Sequence, residues 1–416
     1  MKKLIFILFI AITACRNNSD NYLKNDFRVL DIEGNVGKGR VVKISEIADE
    51  VLYIPLETNN ECLVNEPNRG VKYYSGLIYI VSSENPQHIK IFDTTGRYIR
   101  TFNRFGRGPQ EYDYIQRLRI ERATNNILIS TPTQLCEYTQ EGLFIRRVLL
   151  PSVNFIDRYG FREFIKINDN RYVLSVSINK NSKYSAIVID SLSDVKALVK
   201  YPESEIALQQ NLLGSMFNPY MYKFKNDVRI INSNDEYVIT LNEDVKFDTA
   251  FIFNYGKYKM TAKNTPNKPS MNDKYIDRSS LVYESDRYLF LQFNMRGLAK
   301  KHFVIYYEYS SKYKIFPIAY SYFDKKTGEF NFIYQPDKNQ FGFLDDIGGG
   351  TALWPIDISD DGYMICYLNA LEFLEYAKSS KASDSFKKIA ENLKDNDNPV
   401  IVRVKLKNQF YIDRLD

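Results

Sequence analysis

The sequence is poor in the residue that most often carries out acid–base and metal chemistry in enzymes. It contains only two histidines, His88 and His302, and neither lies in a recognisable motif. A zinc site built on several histidines is therefore excluded, and a Ser-His-Asp triad would depend on one of these two residues. The GxSxG, P-loop and HExxH motifs are also absent. A pair of carboxylates of the glycosidase type stays open, because scattered Asp and Glu residues do not reveal one.

Cysteine is scarce as well. The chain has four cysteines, and no two of them form a CxxC pair. If Cys15 carries a lipid, as argued below, three cysteines remain, and this odd number argues against a complete disulfide framework. A single bridge among Cys62, Cys136 and Cys366 is left open. The alternative is that all three are small, buried thiols.

Long apolar runs are missing except at the N-terminus. There the pair Lys2-Lys3 is followed by an apolar run of eleven residues, from Leu4 to Ala14. This length is typical of a signal peptide and is short for a membrane span, which needs about 20 residues. No other segment approaches the roughly 18 apolar residues of a spanning helix, so the sequence predicts no further span.

The end of this run resembles a bacterial lipobox, with the sequence Ile12-Thr13-Ala14-Cys15. The resemblance implies cleavage before Cys15 and its modification by diacylglycerol and a further acyl chain such as palmitate. Several acyl chains on one residue give stable anchoring. We therefore predict a signal peptide over residues 1–14, then lipidated Cys15 at the start of a flexible tether over residues 15–38. The alternatives are an ordinary signal peptide with a chance cysteine and an uncleaved anchor.

A strong net charge is missing too. The formal charge is +5, and removal of Lys2 and Lys3 with the signal peptide leaves +3. A value this close to neutral, in a chain of 416 residues, gives no basis for nucleic-acid binding. The predicted membrane contact is instead the lipid on Cys15.

The chain is rich in residues that favour strands. Hydrophobic residues make up 44% and aromatic residues 14% of the sequence, which excludes global disorder. Short apolar runs recur with turns between them, and Asp93 and Gly96 flank a tight hairpin in the first set. That set comprises Leu77–Val81, Ile89–Phe92 and Tyr98–Phe102. Similar sets start near residues 126, 171, 228, 288 and 362, and the fifth includes Phe303–Tyr307.

Six units of about 45 to 65 residues are typical of β-propeller blades. A blade is covered on both faces by its neighbours, so its middle strands are continuous apolar runs. We therefore predict an all-β, six-bladed β-propeller over residues 39–416. A helical insertion is expected over Asn369–Lys394, with Ser383 as a cap and with Leu371, Leu374 and Tyr376-Ala377 on one face. An early edge strand around Pro55 would complete the last blade and close the ring.

These segments resemble the six-bladed β-propeller lipoproteins of the Bacteroidota, which are relatives of NHL-repeat propellers. The most specific match is Gly106-Arg107-Gly108-Pro109-Gln110-Glu111-Tyr112, where Gln110 replaces the usual glycine of GRGPGEY. Further matches are Ile54-Pro55-Leu56-Glu57-Thr58, Ile91-Phe92-Asp93, Asp345-Asp346 before Trp354-Pro355, and Asn398-Pro399-Val400. The resemblance implies the fold and the lipid anchor. It implies little about function, because one fold supports many functions.

Five residues are the candidates for ligand binding at the mouth of the propeller channel: Arg104, Arg107, Glu111, Tyr112 and Trp354. Seven arginines fall between residues 97 and 122, and arginine suits carboxylates and sulfates, so an acidic glycan is the hypothetical ligand. The structural alternatives are a blade-to-blade connection for the glycine-rich motif, a solvated outer strand for the arginines and core packing for the tryptophan.

Asp345 and Asp346 precede three glycines, and they are weak candidates for binding Ca²⁺, which takes oxygen ligands. The spacing of an EF-hand is missing, so a turn before a strand is the favoured interpretation. No other cofactor is expected.

Two functions of different classes fit this sequence. The favoured one is an envelope lipoprotein, anchored in the outer membrane, that binds a glycan, peptide or partner protein through its propeller. The alternative is a propeller hydrolase or lyase acting on a glycan, lactone or peptide. Three or more Asp, Glu, Asn or His side chains converging in the channel would favour an enzyme. The short polar segment after Cys15 leaves both the periplasmic and the surface-exposed orientation open.

Overall fold

The computed structural model describes residues 28–64, 70–82, 85–151, 161–176, 183–211, 219–232, 234–266, 270–299, 301, 303–307, 312–316 and 318–407. The predicted signal peptide and Cys15 lie outside these residues. Within them, no helix is long and apolar enough to cross a membrane.

The described residues form mostly strands. The N-terminal part and the first three blades contain β1 (Val29–Asp31), α1 (Ile32–Asn35), β2 (Ala48–Pro55), β3 (Val71–Tyr74), β4 (Leu77–Val81), β5 (Ile89–Asp93), β6 (Tyr98–Phe102), β7 (Arg117–Ile120), β8 (Ile127–Ser130), β9 (Gln134–Tyr138), β10 (Phe144–Leu149), β11 (Phe161–Asn168), β12 (Arg171–Val176), β13 (Tyr184–Asp190) and β14 (Val195–Lys200). The remainder contains α2 (Glu203–Asn211), β15 (Tyr220–Phe224), β16 (Asp227–Ile231), β17 (Tyr237–Leu241), β18 (Phe247–Asn254), β19 (Asp277–Glu284), β20 (Tyr288–Asn294), β21 (Phe303–Tyr307), β22 (Lys312–Phe316), β23 (Ile318–Asp324), β24 (Glu329–Ile333), β25 (Asp357–Ile358), β26 (Met364–Leu368), α3 (Ala370–Ala377), α4 (Asp384–Ala390) and β27 (Val400–Leu406).

Six sheets of four strands or more form the blades, which confirms the predicted six-bladed propeller. The pairing within them is antiparallel except where β1 joins blade 4, and β21 and β22 form a separate two-stranded sheet. Blades 1 to 4 are β3–β6, β7–β10, β11–β14 and β15–β18. Blade 5 is β19, β20, β23 and β24, and blade 6 is β25, β26, β27 and β2. The first strand of each blade is innermost. Neighbouring first strands contact each other from β11 through β15, β19, β25 and β3 to β7, and hydrogen bonds from β7 to β11 complete the circle. We call these first strands the inner strands.

The apolar runs form strands because each blade is buried on both faces. In β4, Ile78 and Ile80 pack in a cluster shared with blade 6, while Tyr79 and Val81 pack in a cluster shared with blade 2. All four side chains are at most 1% exposed. Burying a large apolar side chain contributes about 1.5–3 kcal/mol, so this alternation stabilises both blade interfaces at once.

An early strand closes the ring, as predicted. β2 pairs antiparallel with β27 along its whole length and is the outermost strand of blade 6. Pro55 lies at the end of β2, opposite Val400. An edge strand tolerates proline because its free side needs no backbone N–H donor. The N-terminal and C-terminal parts of the chain therefore complete one blade together.

The chain is already folded from residue 29, so the prediction of a flexible tether over 15–38 is corrected for residues 29–38. β1 pairs in parallel with β18 and forms a fifth strand on blade 4. Leu30 and Ile32 are fully buried there. This addition covers the outer edge of blade 4, which would otherwise expose unpaired backbone groups.

The helical insertion is confirmed between β26 and β27. Ser383 accepts a hydrogen bond from the backbone N–H of Phe386 and so caps α4, as predicted. The buried face of α3 was predicted incorrectly in one respect, because Leu371 is exposed and Phe373 is fully buried. Phe373 stacks on Phe386 with ring centroids 3.8 Å apart, and this contact joins the two helices.

The two faces of the propeller differ strongly. In an antiparallel meander, the turn between the first and second strands of a blade lies at the same face as the turn between the third and fourth strands. Both turns are short here. The connection between the second and third strands and the connection from one blade to the next lie at the opposite face, which we call the long-connection face. It carries α2, α3, α4 and the β21–β22 hairpin. Phe303–Tyr307 was expected within blade 5, but it belongs to this separate hairpin between β20 and β23.

Candidate functional site at the propeller axis

Polar side chains from several inner strands meet at the axis. These strands alternate buried apolar residues with partly exposed polar ones, as in β3, where Val71 and Tyr73 are buried and Lys72 is not. We define the axial cluster as Lys72, Arg117, Arg119, Glu163, Tyr220, Tyr283 and Asp357.

Glu163 links two arginines of the neighbouring blade. Its Oε1 accepts a hydrogen bond from Arg117 Nε at 2.6 Å, and its Oε2 accepts one from Arg119 Nη2 at 2.9 Å. Arg119 Nη2 also donates to the carbonyl of Met221 at 3.3 Å. Because one carboxylate faces two guanidinium groups, this trio carries a net positive charge.

The other half of the axial cluster is an ion pair across blades 6 and 1. Lys72 Nζ lies 2.9 Å from Asp357 Oδ1. Burial raises the pKa of Asp357, and the positive charges of Lys72 and Arg119 oppose that rise. Asp357 therefore depends on these cations to stay ionised.

Electrostatic interactions between non-neighbouring blades show that these groups face one another across the axis. Burial raises the pKa of Tyr220 in blade 4, and the charge of Asp357 in blade 6 raises it further. Arg119 in blade 2 lowers the pKa of Tyr220. Blades 2, 4 and 6 do not touch side by side, so these interactions run through the channel.

The axial cluster extends along the channel. Arg117 and Tyr220 are the first residues of their inner strands and lie towards the long-connection face. Asp357 pairs with Ile365, the second residue of β26, so it lies towards the short-turn face. Solvent reaches the cluster, since the side chain of Arg117 is 47% exposed and that of Lys72 is 33% exposed.

The cluster contains two carboxylates, and both are paired with cations. This is fewer than the three converging groups that would favour an enzyme. The channel is not apolar either, since charged side chains line it. The cations can give up their carboxylate partners and bind the charged groups of a polar ligand instead. The nearby tyrosine hydroxyls can hydrogen-bond to the same ligand.

Other buried ion networks join neighbouring blades. Glu284 accepts hydrogen bonds from Tyr222, Arg229 and Lys325, which are supplied by blades 4 and 5. Lys166 and Arg146 similarly bind Glu137 between blades 2 and 3. These networks use several donors on each carboxylate, so their structural role of joining blades accounts for them.

The glycine-rich motif forms a tight blade-to-blade connection. Tyr112 is fully buried, and its hydroxyl donates to the carbonyl of Gln87. Glu111 accepts a hydrogen bond from the N–H of Gly108, and Arg104 donates to the carbonyl of Gly142. Arg107 is exposed. These contacts favour the structural interpretation of the motif, and ligand binding by its residues stays a prediction.

Trp354 is not brought together with the glycine-rich motif. It packs between blades 5 and 6, with its ring 4.7 Å from Tyr320 and stacked on Phe343 at 6.0 Å. Its side chain is 8% exposed. The packing matches the alternative of a core tryptophan, whereas the proposed contact with a sugar stays a prediction.

Asp345 and Asp346 organise the loop before β25. Asp345 Oδ1 accepts from the N–H groups of Ile347 and Gly348, and its Oδ2 accepts from Gly350 and Tyr53. Asp346 accepts from the backbone and hydroxyl of Ser45. The part of the chain described here holds no group of three or more His, Cys, Asp or Glu side chains arranged for a metal ion. Binding of Ca²⁺ stays a prediction that these hydrogen bonds do not require.

The arginine-rich stretch divides between two roles. Arg117 and Arg119 reach the axis, whereas other arginines donate to backbone carbonyls of another blade. Arg100 and Arg104 of blade 1 donate to the neighbouring blade 2. Arg122 of blade 2 donates to the carbonyl of Asp360 in blade 6. Sequence reasoning missed Lys72, Glu163 and Asp357. The signal that could have found them is the short polar–apolar alternation directly before each buried run.

The cysteines have a structural role. Cys62, Cys136 and Cys366 are free, buried thiols. They pack in three different clusters of the core. The alternative of small buried thiols therefore holds for these three, and the single bridge left open above is not formed.

Solved structures similar to this chain include three bacterial proteins. An exported protein of Bacteroides fragilis has a TM-score of 0.61 and 16% identity, over 88% of this chain and 97% of that chain. A member of the duf4221 family from Bacteroides vulgatus has a TM-score of 0.46 and 13% identity, over 87% and 98%. Virginiamycin B lyase from Staphylococcus aureus has 0.39 and 8%, over 86% and 99%. At these identities the likeness shows the fold alone. Among curated proteins, no sequence match was found.

A family model matches nearly the whole chain. The model called Domain of unknown function (DUF4934) covers residues 27–405, and the chain therefore belongs to that family. The match spans the propeller, in agreement with the predicted resemblance at the level of the fold. The relation to NHL repeats and the lipid anchor stay predictions.

Proposed function

We propose that this member of the DUF4934 family is an exported, lipid-anchored protein that binds a polar ligand in the channel at its propeller axis. The anchor is supported by the sequence Ile12-Thr13-Ala14-Cys15. The outer membrane is the proposed site of anchoring, and the proposal covers both the periplasmic and the surface-exposed side. The ligand belongs to the classes of glycan, peptide or partner protein.

One observation carries this proposal: three cations and two carboxylates meet in the solvent-accessible channel of the propeller. Charged groups are rarely gathered in a partly buried site for stability alone, because desolvation offsets much of their attraction. Here they come from blades 1, 2, 3 and 6, so the cluster exists only in the closed ring.

Binding is tested by titrating the purified lipoprotein with glycans and peptides and measuring heat of binding. Double replacement of Lys72 and Arg117 with glutamine should weaken binding, since both cations are accessible and paired with carboxylates. The matched control is Arg97→Gln, because Arg97 is 79% exposed and pairs with Asp93 in a short turn of blade 1. Equal affinities of the double variant and the control would contradict the proposed site.

The anchor is tested separately by replacing Cys15 with alanine. We expect the variant to leave the membrane fraction, and mass spectrometry of the wild-type N-terminal peptide should show the acylated cysteine. Wild-type protein that is cleaved elsewhere, or that carries no lipid, would contradict the anchor without affecting the axial site.

The raised pKa of Asp357 favours one second candidate, a hydrolase or lyase that uses this group as a general acid. Release of product from a bound glycan, lactone or peptide, abolished by Asp357→Asn, would support that candidate. Binding without turnover, in wild type and variant alike, would favour the first proposal.

A further inference from the structure

We infer that the ligand of the axial cluster is a sugar acid, that is, a sugar whose carboxylate lies next to free hydroxyl groups. This inference rests on the proposed function and names the chemistry of its ligand. Three features of the cluster support it: its net charge, the unused donors on its arginines, and the two tyrosines beside them.

The charge of the cluster matches a single negative charge. Lys72, Arg117 and Arg119 face only Glu163 and Asp357 in direct ion pairs. One added carboxylate would therefore balance the cluster. A dianionic phosphate would leave an excess of negative charge in a partly desolvated site, which is unfavourable.

The arginines retain donors suited to a carboxylate. A guanidinium group has five N–H donors, and the contacts of Arg117 with Glu163 and with the carbonyl of Gln116 use two of them. Arg119 Nε is buried and has no hydrogen-bond partner. A planar carboxylate matches the fork of arginine donors, whereas a lysine cluster would not distinguish it from other anions.

Arg119 is held in place before any ligand arrives. Its Nη2 is fixed by Glu163 and by the carbonyl of Met221, and its guanidinium lies 5.9 Å from the ring of Phe164. A side chain that is already ordered loses little conformational freedom on binding. This fixed geometry favours a ligand of one shape over a general attraction for anions.

Two tyrosines supply partners for the sugar ring. Tyr220 and Tyr283 are half-buried at the same site, and neither hydroxyl is engaged by another of the described residues. Burial raises the pKa of both hydroxyls, so they stay protonated and can donate to sugar hydroxyls. Their rings also offer an apolar surface of the kind that packs against the face of a sugar.

The test measures binding of the full lipoprotein in detergent micelles by calorimetry. The probes are oligogalacturonate, its neutral methyl ester, a sulfated oligosaccharide of equal length and an acidic peptide. We expect oligogalacturonate to bind and its methyl ester to bind about tenfold or more weakly, because a charge-assisted hydrogen bond is lost. Rising salt should weaken binding of the acid only.

Three variants separate recognition from folding. Arg119→Gln should weaken binding of oligogalacturonate about tenfold or more. Arg119→Lys should retain only part of the wild-type affinity, because lysine keeps the positive charge but lacks the planar fork of guanidinium donors. Tyr220→Phe should weaken it about threefold to tenfold. Arg97→Gln is the control and should bind like wild type. Melting temperatures identify any variant that fails to fold.

The outcomes distinguish this inference from the proposed function. Equal binding of the acid and its methyl ester, or preference for the sulfated probe or the peptide, would overturn the sugar acid while leaving a ligand at the axis. Unchanged binding in Arg119→Gln would also overturn it. If none of the probes binds, the sugar acid is rejected. The proposed function fails separately, if ligands bind but the Lys72 and Arg117 double variant matches its control.

Discussion

Replacing Glu205 with glutamine should stabilise the protein at neutral and alkaline pH. Glu205 lies in α2 on the long-connection face and is 2% exposed. Its Oε1 accepts a hydrogen bond from the N–H of Asn234, but its Oε2 has no hydrogen-bond partner. Asp235 repels the carboxylate, and Arg278 compensates only part of its charge. The ionised form is therefore poorly stabilised where it is buried.

The magnitude follows from the pKa. Burial raises the pKa of Glu205 from 4.5 to about 7. Because the folded-state pKa is the higher one, the fold is favoured below pH 4.5, and this contribution is lost as the pH rises through 7. A pKa difference of about 2.5 corresponds to about 3 kcal/mol of unfolding free energy. Glutamine is neutral throughout, so Glu205→Gln avoids this loss.

The assay is urea denaturation of wild type and Glu205→Gln at pH 5 and pH 8. We expect the variant to exceed the wild type by about 2–3 kcal/mol at pH 8 and by much less at pH 5. The control is Glu203→Gln, since Glu203 is exposed on the same helix. An advantage of Glu205→Gln that is equal at both pH values, or a loss of stability at pH 8, would refute the reasoning.

Two further predictions concern turns and loops of the propeller. Asp345→Asn should lower the unfolding free energy by about 2–4 kcal/mol, because the new amide cannot accept from all four donors that Asp345 now satisfies; an unchanged urea midpoint would contradict this. Gly96→Ala should destabilise more than Gly142→Ala, although both glycines have positive φ, at +86° and +98°. An added Cβ at Gly96 would lie 2.1 Å from the backbone oxygen of Pro55, whereas at Gly142 its nearest neighbour is a side-chain carbon at 3.4 Å. Equal melting temperatures of the two variants would show that the contact with Pro55 is unimportant.

Much of the fold could be predicted because the middle strands of each blade are buried on both faces. The run Leu77–Val81 and its counterparts in the other blades are strands in the structure. The turn between Asp93 and Gly96 was also predictable, since Asp93 accepts from the N–H groups of Thr95 and Arg97, and Gly96 has positive φ. The hydroxyl of Thr95 also donates to Asp93, and this hydrogen bond, together with those from the two N–H groups, lowers the pKa of Asp93 to about 2.

The errors have local causes. Phe303–Tyr307 has the composition of a middle strand, but the strand that pairs with β20 is β23, after an inserted hairpin. A single sequence does not show which of two apolar runs joins the sheet. Val29–Asp31 was predicted to belong to the tether, because a segment of three residues is too short to show the alternation of apolar and polar residues that indicates a strand. Its burial depends on β18, more than 200 residues later in the chain.

The axial cluster was not predicted, because its members are far apart in the sequence and the local sequence pattern that marks them is short. Lys72 and Asp357 form an ion pair although 285 positions separate them. Their strands are short, and β25 has only two residues. The pair exists because blade 6 lies beside blade 1, and blade 6 is complete only when β2 joins β27. Closure of the ring, and not any motif, therefore creates the site. In such a fold the residues that specify the blades and the residues that meet a ligand are different sets, and only the first set repeats along the sequence.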